Sequence, residues 1–267
     1  MRKVGALTHF PPGLLPLMAS FLGPDSIFVA GGFINRPSEK LASAICYSLS
    51  TKSWRSNLPS MSTVRARPAS VALGGRMMVF GGTANVFELA TCEAFDPVTN
   101  QWTALPPMST ARSDACAVAW QGCAYVFGGW NGATSLKTVE CFDSKLNRWF
   151  AIAPMTTPRS DAAAVAVPGR GLLVMGGSNF SGILESAELF HPVTNQWTEM
   201  TWQLPKPLYN LSAQCSHDGI LYIFGGCTSS GERTTECWSM DLTADVPIWS
   251  PLPPLPATMS GLVSVMI

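Results

Sequence analysis

Five times along the chain, a short run of apolar residues leads directly into a pair of glycines, and polar turn residues follow. The first glycines of successive pairs lie 47 to 50 residues apart. Apolar runs of this length, bounded by glycine, asparagine or aspartate, are typical of short buried β-strands. The pattern therefore predicts a β-rich repeat with a period of about 48 residues. The glycine pairs are Gly31-Gly32, Gly81-Gly82, Gly128-Gly129, Gly176-Gly177 and Gly225-Gly226.

Other residues recur at constant distances behind each glycine pair. An aromatic residue is followed seven positions later by a tryptophan in four units, and eleven positions later in the fifth. A glutamate stands two residues before the aromatic in units two to five, where the first unit has Ile45. Three units then carry an arginine. The repeated residues are Tyr47, Phe95, Phe142, Phe190 and Trp238; Trp54, Trp102, Trp149, Trp197 and Trp249; Glu93, Glu140, Glu188 and Glu236; and Arg65, Arg112 and Arg159.

Each unit contains four short strand signals, which predicts one four-stranded antiparallel sheet per repeat. In the third unit the predicted strands are 115–120, 124–128, 138–143 and 148–152, with a tight turn at Gln121 and Gly122. The first two strands are apolar or small throughout, so we expect both of their faces to be buried. The aromatic residues and tryptophans should fill the space between sheets, and the glycine pairs should allow positive φ or close backbone approach.

The glycine pair, the Glu-x-aromatic element and the tryptophan offset resemble the kelch repeat. This resemblance covers residues 16–256 and implies an all-β fold, a kelch-type β-propeller with five recognisable four-stranded blades and an incomplete sixth. The first unit departs from the pattern because it lacks the glutamate. The fifth lacks the arginine, with Tyr209 aligned at that position. The repeats are bounded at about 16–61, 62–108, 109–155, 156–202 and 203–256.

Chain length and repeat period leave the closure of the ring open. The 267 residues correspond to about 5.5 repeats. Residues 257–267 are interpreted as the first strand of the sixth blade, and residues 1–15 as a segment that supplies a closing strand over about 4–10. A five-bladed ring closed by strand exchange is the alternative, and a longer chain that completes the sixth blade is another.

Composition and charge exclude several functional classes. Lys+Arg and Asp+Glu are both 17, so the basic excess of a nucleic-acid-binding protein is absent from the sequence. No run of 18 apolar residues predicts a membrane span. The eight cysteines form no CxxC pair, which favours reduced, half-buried thiols in a cytoplasmic protein. Three scattered histidines and the absence of nucleophile-elbow, zincin and P-loop motifs predict no catalytic residues, no metal and no cofactor.

Candidate binding residues lie where the chain crosses from the second to the third strand, and from the fourth strand to the next unit. Strand direction alternates, so both connections open on one face, and their sequences differ between units as in a binding surface or in unconstrained loops. Trp130 is either a binding anchor or a cover for its own blade. The candidates are Asn35, Arg36, Asn85, Trp130, Asn131, Asn179, Phe180, Tyr209 and Arg233.

The recurring arginines are expected to pair with the recurring glutamates and so to serve the blade itself. Two residues further on the units diverge, and the residues at this position are Arg67, Asp114, Asp161 and Leu211. In kelch substrate adaptors the positions that match Arg67 line the ligand pocket, so the resemblance implies that Arg67, Asp114 and Asp161 bind ligand. A pocket with charges of both signs favours a polar peptide.

Three functions follow as hypotheses. The first is a non-catalytic protein–protein interaction module that binds a protein or peptide. The resemblance implies that such a module can act as a substrate receptor of a cullin-type ubiquitin ligase, although BTB and BACK domains are absent from this sequence. The second is a kelch-propeller enzyme such as a sialic-acid mutarotase or epimerase. The third is an actin-binding cytoskeletal protein. Nucleic acid and membrane are not expected as partners.

Overall fold

A computed structural model describes residues 14–15, 18–23, 26–30, 33–34, 41–48, 50–55 and 57–257. Every regular element of these residues is a β-strand, which confirms the predicted all-β class. The described residues contain no helix of the length and apolar character needed to cross a membrane. The predicted closing strand at 4–10 lies outside the described residues. So does the predicted first strand of the sixth blade, except for residue 257.

Each repeat forms one antiparallel four-stranded sheet, which we call a blade. Neighbouring strands in a blade are consecutive along the chain apart from the short hairpins described below. The strands, from the inner to the outer edge, are β2 (Met18–Gly23), β3 (Ser26–Ala30), β5 (Ala44–Ser48) and β6 (Ser53–Arg55) in blade one; β7 (Ala69–Leu73), β8 (Arg76–Phe80), β11 (Cys92–Asp96) and β12 (Gln101–Leu105) in blade two; β13 (Cys116–Trp120), β14 (Cys123–Phe127), β15 (Val139–Asp143) and β16 (Arg148–Ile152) in blade three; β17 (Ala163–Val167), β18 (Gly171–Met175), β21 (Ala187–His191) and β22 (Gln196–Glu199) in blade four; and β23 (Ser212–Cys215), β24 (Ile220–Phe224), β25 (Cys237–Asp241) and β26 (Trp249–Leu252) in blade five.

Six further strands of two residues each form small antiparallel pairs at one end of the blades. Two of these pairs are hairpins inside the connection between the second and third strands of blades two and four. The third pair joins a segment before blade one to the same connection in that blade. The pairs are β1 (Leu14–Leu15) with β4 (Phe33–Ile34), β9 (Thr83–Ala84) with β10 (Phe87–Glu88), and β19 (Ser178–Asn179) with β20 (Gly182–Ile183).

Blade three shows how closely the local pattern predicts the strands. Its four strands begin and end within one residue of the predicted bounds. The turn between the first two has φ values of 48° at Gln121 and 83° at Gly122. Positive φ at both central residues is the geometry that suits the twist of a two-residue hairpin.

The innermost strands contact one another in the order β2, β7, β13, β17 and β23. The second strands β8, β14 and β18 are buried along almost their whole length, as expected, whereas β24 alternates between buried and half-buried residues. The expectation that both faces of the first strands are buried is wrong. In β13 only Val118 is fully buried, because the inner strand forms one edge of its sheet and is covered by the neighbouring blades only in part.

Aromatic side chains join successive blades, which confirms their predicted place. Trp149 of blade three packs edge-on against Phe80 of blade two, with ring centroids 5.3 Å apart. Its indole N–H donates to the carbonyl oxygen of Pro106 at 2.7 Å. Trp102, Trp197 and Trp249 make the same kind of bond to the segment before their blades. The tryptophan therefore stabilises the contact between blades through packing and a hydrogen bond.

The three recurring arginines form buried ion pairs with the glutamates of their own blades, which confirms their predicted pairing. Arg112 Nη2 lies 2.8 Å from Glu140 Oε1, with the two side chains 0% and 4% exposed. Arg112 Nη1 also donates to the carbonyl oxygens of Gly128 and Thr138, and Glu140 Oε2 accepts the backbone N–H of Ser109. The pairs Arg65–Glu93 and Arg159–Glu188 have the same geometry. These residues hold the blade together and do not face a ligand.

The first glycine of the pairs in blades two to four brings two blades into backbone contact. Gly128 has φ +57°, and a Cβ there would overlap the carbonyl oxygen of Arg159, which belongs to the segment entering the next blade. Gly81 has the same relation to Arg112. Both reasons expected for a glycine, positive φ and close approach, are therefore present at once.

Candidate functional site

Four residues at equivalent positions form an inner ring where the chain enters blades two to five. They are Arg67, Asp114, Asp161 and Asn210, all in the left-handed region with φ from 52° to 55°. The backbone N–H of each later residue donates to the carbonyl oxygen of the one before it, from Asn210 to Asp161, then to Asp114, then to Arg67, at 2.8 to 3.1 Å. Non-glycine residues in this conformation cluster at functional sites, where the surrounding structure holds them.

Asn210 is a ring residue that the sequence reasoning missed, because Tyr209 was aligned with the arginines. That alignment is wrong. The carbonyl oxygen of Leu208 accepts from Gly177 N just as that of Arg159 accepts from Gly129 N, so Leu208 takes the arginine position. The spacing to the next glycine pair could not reveal this, because it is 16 residues for Arg65 and Arg112 and 17 for Arg159.

Three of the four ring residues, Arg67, Asp114 and Asp161, line a cavity of about 440 Å³, which we call the loop-face cavity. Both kinds of inter-strand connection contribute to its lining, so the structure brings them together on one face. Six sequence-predicted residues meet there, together with five small or polar residues that the sequence reasoning had not singled out. The lining consists of Arg67, Asp114, Trp130, Asn179, Phe180 and Asp161, and of Ala133, Thr134, Ser135, Ser160 and Ser178.

Four other predicted residues are described outside this lining. Asn131 is exposed, and its side-chain oxygen accepts the backbone N–H groups of Ala133 and Thr134, so it shapes its own loop. Asn85 and Arg233 are exposed, and Tyr209 is half-buried. The predicted Asn35 and Arg36 lie outside the described residues.

The walls of the cavity are partly aromatic. Trp130 is half-buried, and its backbone bridges Ser113 on one side and Ser135 on the other. Phe180 is fully exposed at the tip of the β19–β20 hairpin. Val86 and Phe87 are exposed on the equivalent hairpin of blade two. Apolar side chains therefore surround a polar centre.

That centre consists of two carboxyl groups and one guanidinium. Asp114 Oδ2 lies 3.2 Å from Arg67 Nη1 and accepts a hydrogen bond from Ser113 Oγ at 2.7 Å. The Asp114 side chain is 5% exposed, whereas that of Arg67 is 47% exposed. Asp161 lines the same cavity, and its carboxyl group interacts electrostatically with that of Asp114.

Burial raises the pKa of both carboxyl groups. For Asp161 burial and the neighbouring charge of Asp114 raise the pKa to about 7. For Asp114 burial raises the pKa, while Arg67 counteracts that effect. Two close carboxyl groups facing one guanidinium cannot both ionise without cost, so the pair keeps a proton up to neutral pH.

We expect Asp161→Asn to become progressively more stable than the wild type as pH rises. The folded-state pKa of Asp161 lies above the ordinary aspartate value of 3.8, so its contribution to stability is present below about 3.8 and is lost as pH rises toward about 7. The free-energy difference between variant and wild type should grow by roughly 2 kcal/mol between pH 4.5 and pH 8. Urea unfolding at several pH values measures it. Asp218→Asn, at an exposed turn, controls for loss of one charge. A difference that stays constant with pH would contradict the expectation.

Among the described residues, no group of three or more His, Cys, Asp or Glu side chains is arranged to hold a metal ion. The eight cysteines are buried or half-buried.

Sheets of four antiparallel strands, with their inner strands in mutual contact, define a β-propeller, and the buried Arg–Glu pairs and glycine pairs define its kelch type. This chain belongs to the kelch-repeat family. Residues 18–208 match the model described as KLHDC2/KLHL20/DRC7 Kelch-repeats domain, and residues 213–256 match the Kelch motif. Kelch-repeat domains generally mediate protein–protein interactions.

Individual proteins resemble the chain over different extents. Beta-scruin and alpha-scruin of Limulus polyphemus are each 35% identical to it over 66 residues, which is 24% of this chain and 7% of those proteins. The solved structure of YjhT superposes with a TM-score of 0.79 at 16% identity, covering 90% of this chain and 85% of that one. The latter similarity concerns the fold alone.

Proposed function

We propose that this chain is a non-catalytic interaction module that binds a polar peptide or protein segment at the loop-face cavity. The observation that carries the proposal is the cavity's composition: Arg67, Asp114 and Asp161 lie at its centre, and Trp130 and Phe180 lie in its wall. Exposed aromatic residues around polar groups are typical of protein-binding hot spots. The kelch-repeat family, whose domains generally bind proteins, supports the same proposal.

The ring of Phe180 is fully exposed to solvent and therefore does not contribute to the packing of its blade. Phe180 lies at a hairpin tip, where its burial by a partner would remove apolar surface from water. Its neighbour Asn179 is tied down, because its side-chain N–H donates to Pro158 O at 3.0 Å and its oxygen accepts from Ser181 N. The hairpin therefore presents Phe180 from a braced loop, which lowers the entropy lost on binding.

We expect Phe180→Ala to weaken binding of the partner by about thirtyfold, the effect of removing a hot-spot side chain. Proteins captured from a lysate of the source cells by the wild type would be identified by mass spectrometry, and the strongest would be purified for titration against both forms. Val193→Ala is the matched control, because Val193 is equally exposed but lies on a third-to-fourth-strand turn at the opposite face. Equal affinities of the wild type and Phe180→Ala would contradict the proposal.

A more specific role is substrate recognition for a cullin-type ubiquitin ligase. The resemblance of the repeats to those of kelch substrate adaptors supports this role. Association with a cullin component in the same capture experiment distinguishes it from binding to actin, which a co-sedimentation assay detects.

One observation favours a second candidate function, proton-transfer catalysis. Asp114 and Asp161 line the same cavity, and the pKa of Asp161 is raised to about 7, the range suited to a general acid or base. Acceleration of the anomer exchange of N-acetylneuraminic acid, followed by NMR and lost in Asp161→Asn, would support an enzyme of the mutarotase type over an interaction module.

A further inference from the structure

The loop-face cavity is lined by more acidic than basic side chains. Three of the described lining residues are ionisable: Arg67 carries one positive charge, while Asp114 and Asp161 can carry two negative ones. Asp114 is almost completely buried, and Arg67 reaches it from the exposed rim. The cavity therefore has one carboxyl group more than it has cations, and the acidic groups lie deeper than the basic one.

The ion pair between Arg67 and Asp114 shows that a carboxyl group of this cavity can bind a guanidinium. Its guanidinium enters from the rim of the cavity and lies 3.2 Å from Asp114, while 47% of its side chain stays exposed. A second guanidinium or an ammonium group would meet the second carboxylate without displacing any buried group. Charge-assisted bonds of this kind are among the strong hydrogen bonds in proteins.

The walls suit the rest of such a side chain. Trp130 and Phe180 line the same space, and arginine and lysine bury their apolar stems along aromatic surfaces while the charge finds a polar partner. The volume of about 440 Å³ falls within the range of about 300–1,000 Å³ that is usual for small-ligand pockets.

We propose that the loop-face cavity receives an arginine or lysine side chain of the bound peptide, held between Asp114 and Asp161. The inference rests on the proposed function, because it names the partner group that the same site takes. The proton held by the two carboxyl groups is released to solvent when the cation binds, and both carboxylates then face a positive charge. Binding is therefore tighter at pH 8 than at pH 6.

Other charged or titratable groups surround this pair. Arg67 and Glu88, both of blade two, act on Asp114. Tyr209, at the entry to blade five, feels the charges of Asp161 and Arg233. Glu88 adds to the negative potential. Arg67 and Arg233 oppose it, and of these Arg67 competes directly with an incoming cation for Asp114.

That competition gives the sharpest test. Arg67→Gln removes the internal competitor, so peptides with a basic residue should bind it at least threefold more tightly than they bind the wild type. Asp114→Asn and Asp161→Asn should each bind them at least tenfold more weakly. The probes are libraries of acetylated, amidated heptapeptides with mixed flanking residues and one central residue fixed as arginine, lysine, citrulline or glutamate.

Arginine and lysine libraries should be preferred over citrulline, an uncharged isostere of arginine, and Asp218→Asn should retain that preference. Circular dichroism of each variant establishes that it is folded, and the gain in Arg67→Gln cannot arise from unfolding. Preference for the glutamate library, with loss of binding in Arg67→Gln, would overturn the inference and leave the interaction module standing. Binding of none of the libraries by the wild type would overturn both.

Discussion

Glu140→Ala is expected to lower the free energy of unfolding by about 3–5 kcal/mol, as measured by urea denaturation. The substitution leaves the guanidinium of Arg112 buried without its carboxylate, and the carbonyl oxygens of Gly128 and Thr138 cannot neutralise the charge. It also removes the acceptor for the backbone N–H of Ser109. Leaving one buried charge without its partner costs more free energy than the intact ion pair contributes.

Blade five contains the matched control for this result. There the arginine position is occupied by buried Leu208, and Glu236 forms an exposed pair with Lys206 instead. Glu236→Ala should therefore cost less than about 1 kcal/mol. The double variant Arg112→Leu with Glu140→Ala should recover part of the stability, because it recreates the apolar arrangement of blade five. Equal losses for Glu140→Ala and Glu236→Ala would show that burial of the pair does not determine its effect.

Gly128→Ala should destabilise the protein by more than about 4 kcal/mol, a loss typical of severe core defects. The added Cβ would overlap the carbonyl oxygen of Arg159 and crowd that of Leu136. Both are backbone atoms, so relief requires the two blades to separate. Because blades three and four also pack through Phe127 and Trp197, that separation would disturb the aromatic contact. Thermal unfolding followed by tryptophan fluorescence measures both changes.

Gly122→Ala separates the clash from the conformational effect. Gly122 also has positive φ, at +83°, yet no atom lies within 4 Å of a Cβ built there. Its substitution should cost about 1–2 kcal/mol, the penalty for a left-handed L-residue. If Gly122→Ala and Gly128→Ala were equally destabilising, contact between blades would not be the reason for the glycine pairs.

The fold was predictable from the sequence wherever a feature depends on neighbouring residues or on the repeat. The strands of blade three follow from alternating apolar runs and turn residues, and the partners Arg112 and Glu140 follow from their recurrence in register. The burial of the first strands was overestimated for β13, because composition does not reveal how completely neighbouring blades cover an inner strand.

The candidate site was predictable in part. Arg67, Asp114, Asp161, Trp130, Asn179 and Phe180 were singled out from the sequence and meet in one cavity. Ser135, Ser160 and Ser178 gave no signal, since serine is ordinary in any loop. Asn210 was concealed by a one-residue misalignment in the unit that has lost its arginine.

The sequence by itself determined the repeat, the order of strands within each blade and the residues that hold a blade together. These features depend on periodicity and on contacts that recur every 47 to 50 residues. Only the tertiary structure decided that Asp114 and Asp161, 47 residues apart, line one cavity together with Arg67. Their proximity arises from the angle and distance between blades, which the packing of glycine pairs and tryptophans sets and no local pattern encodes.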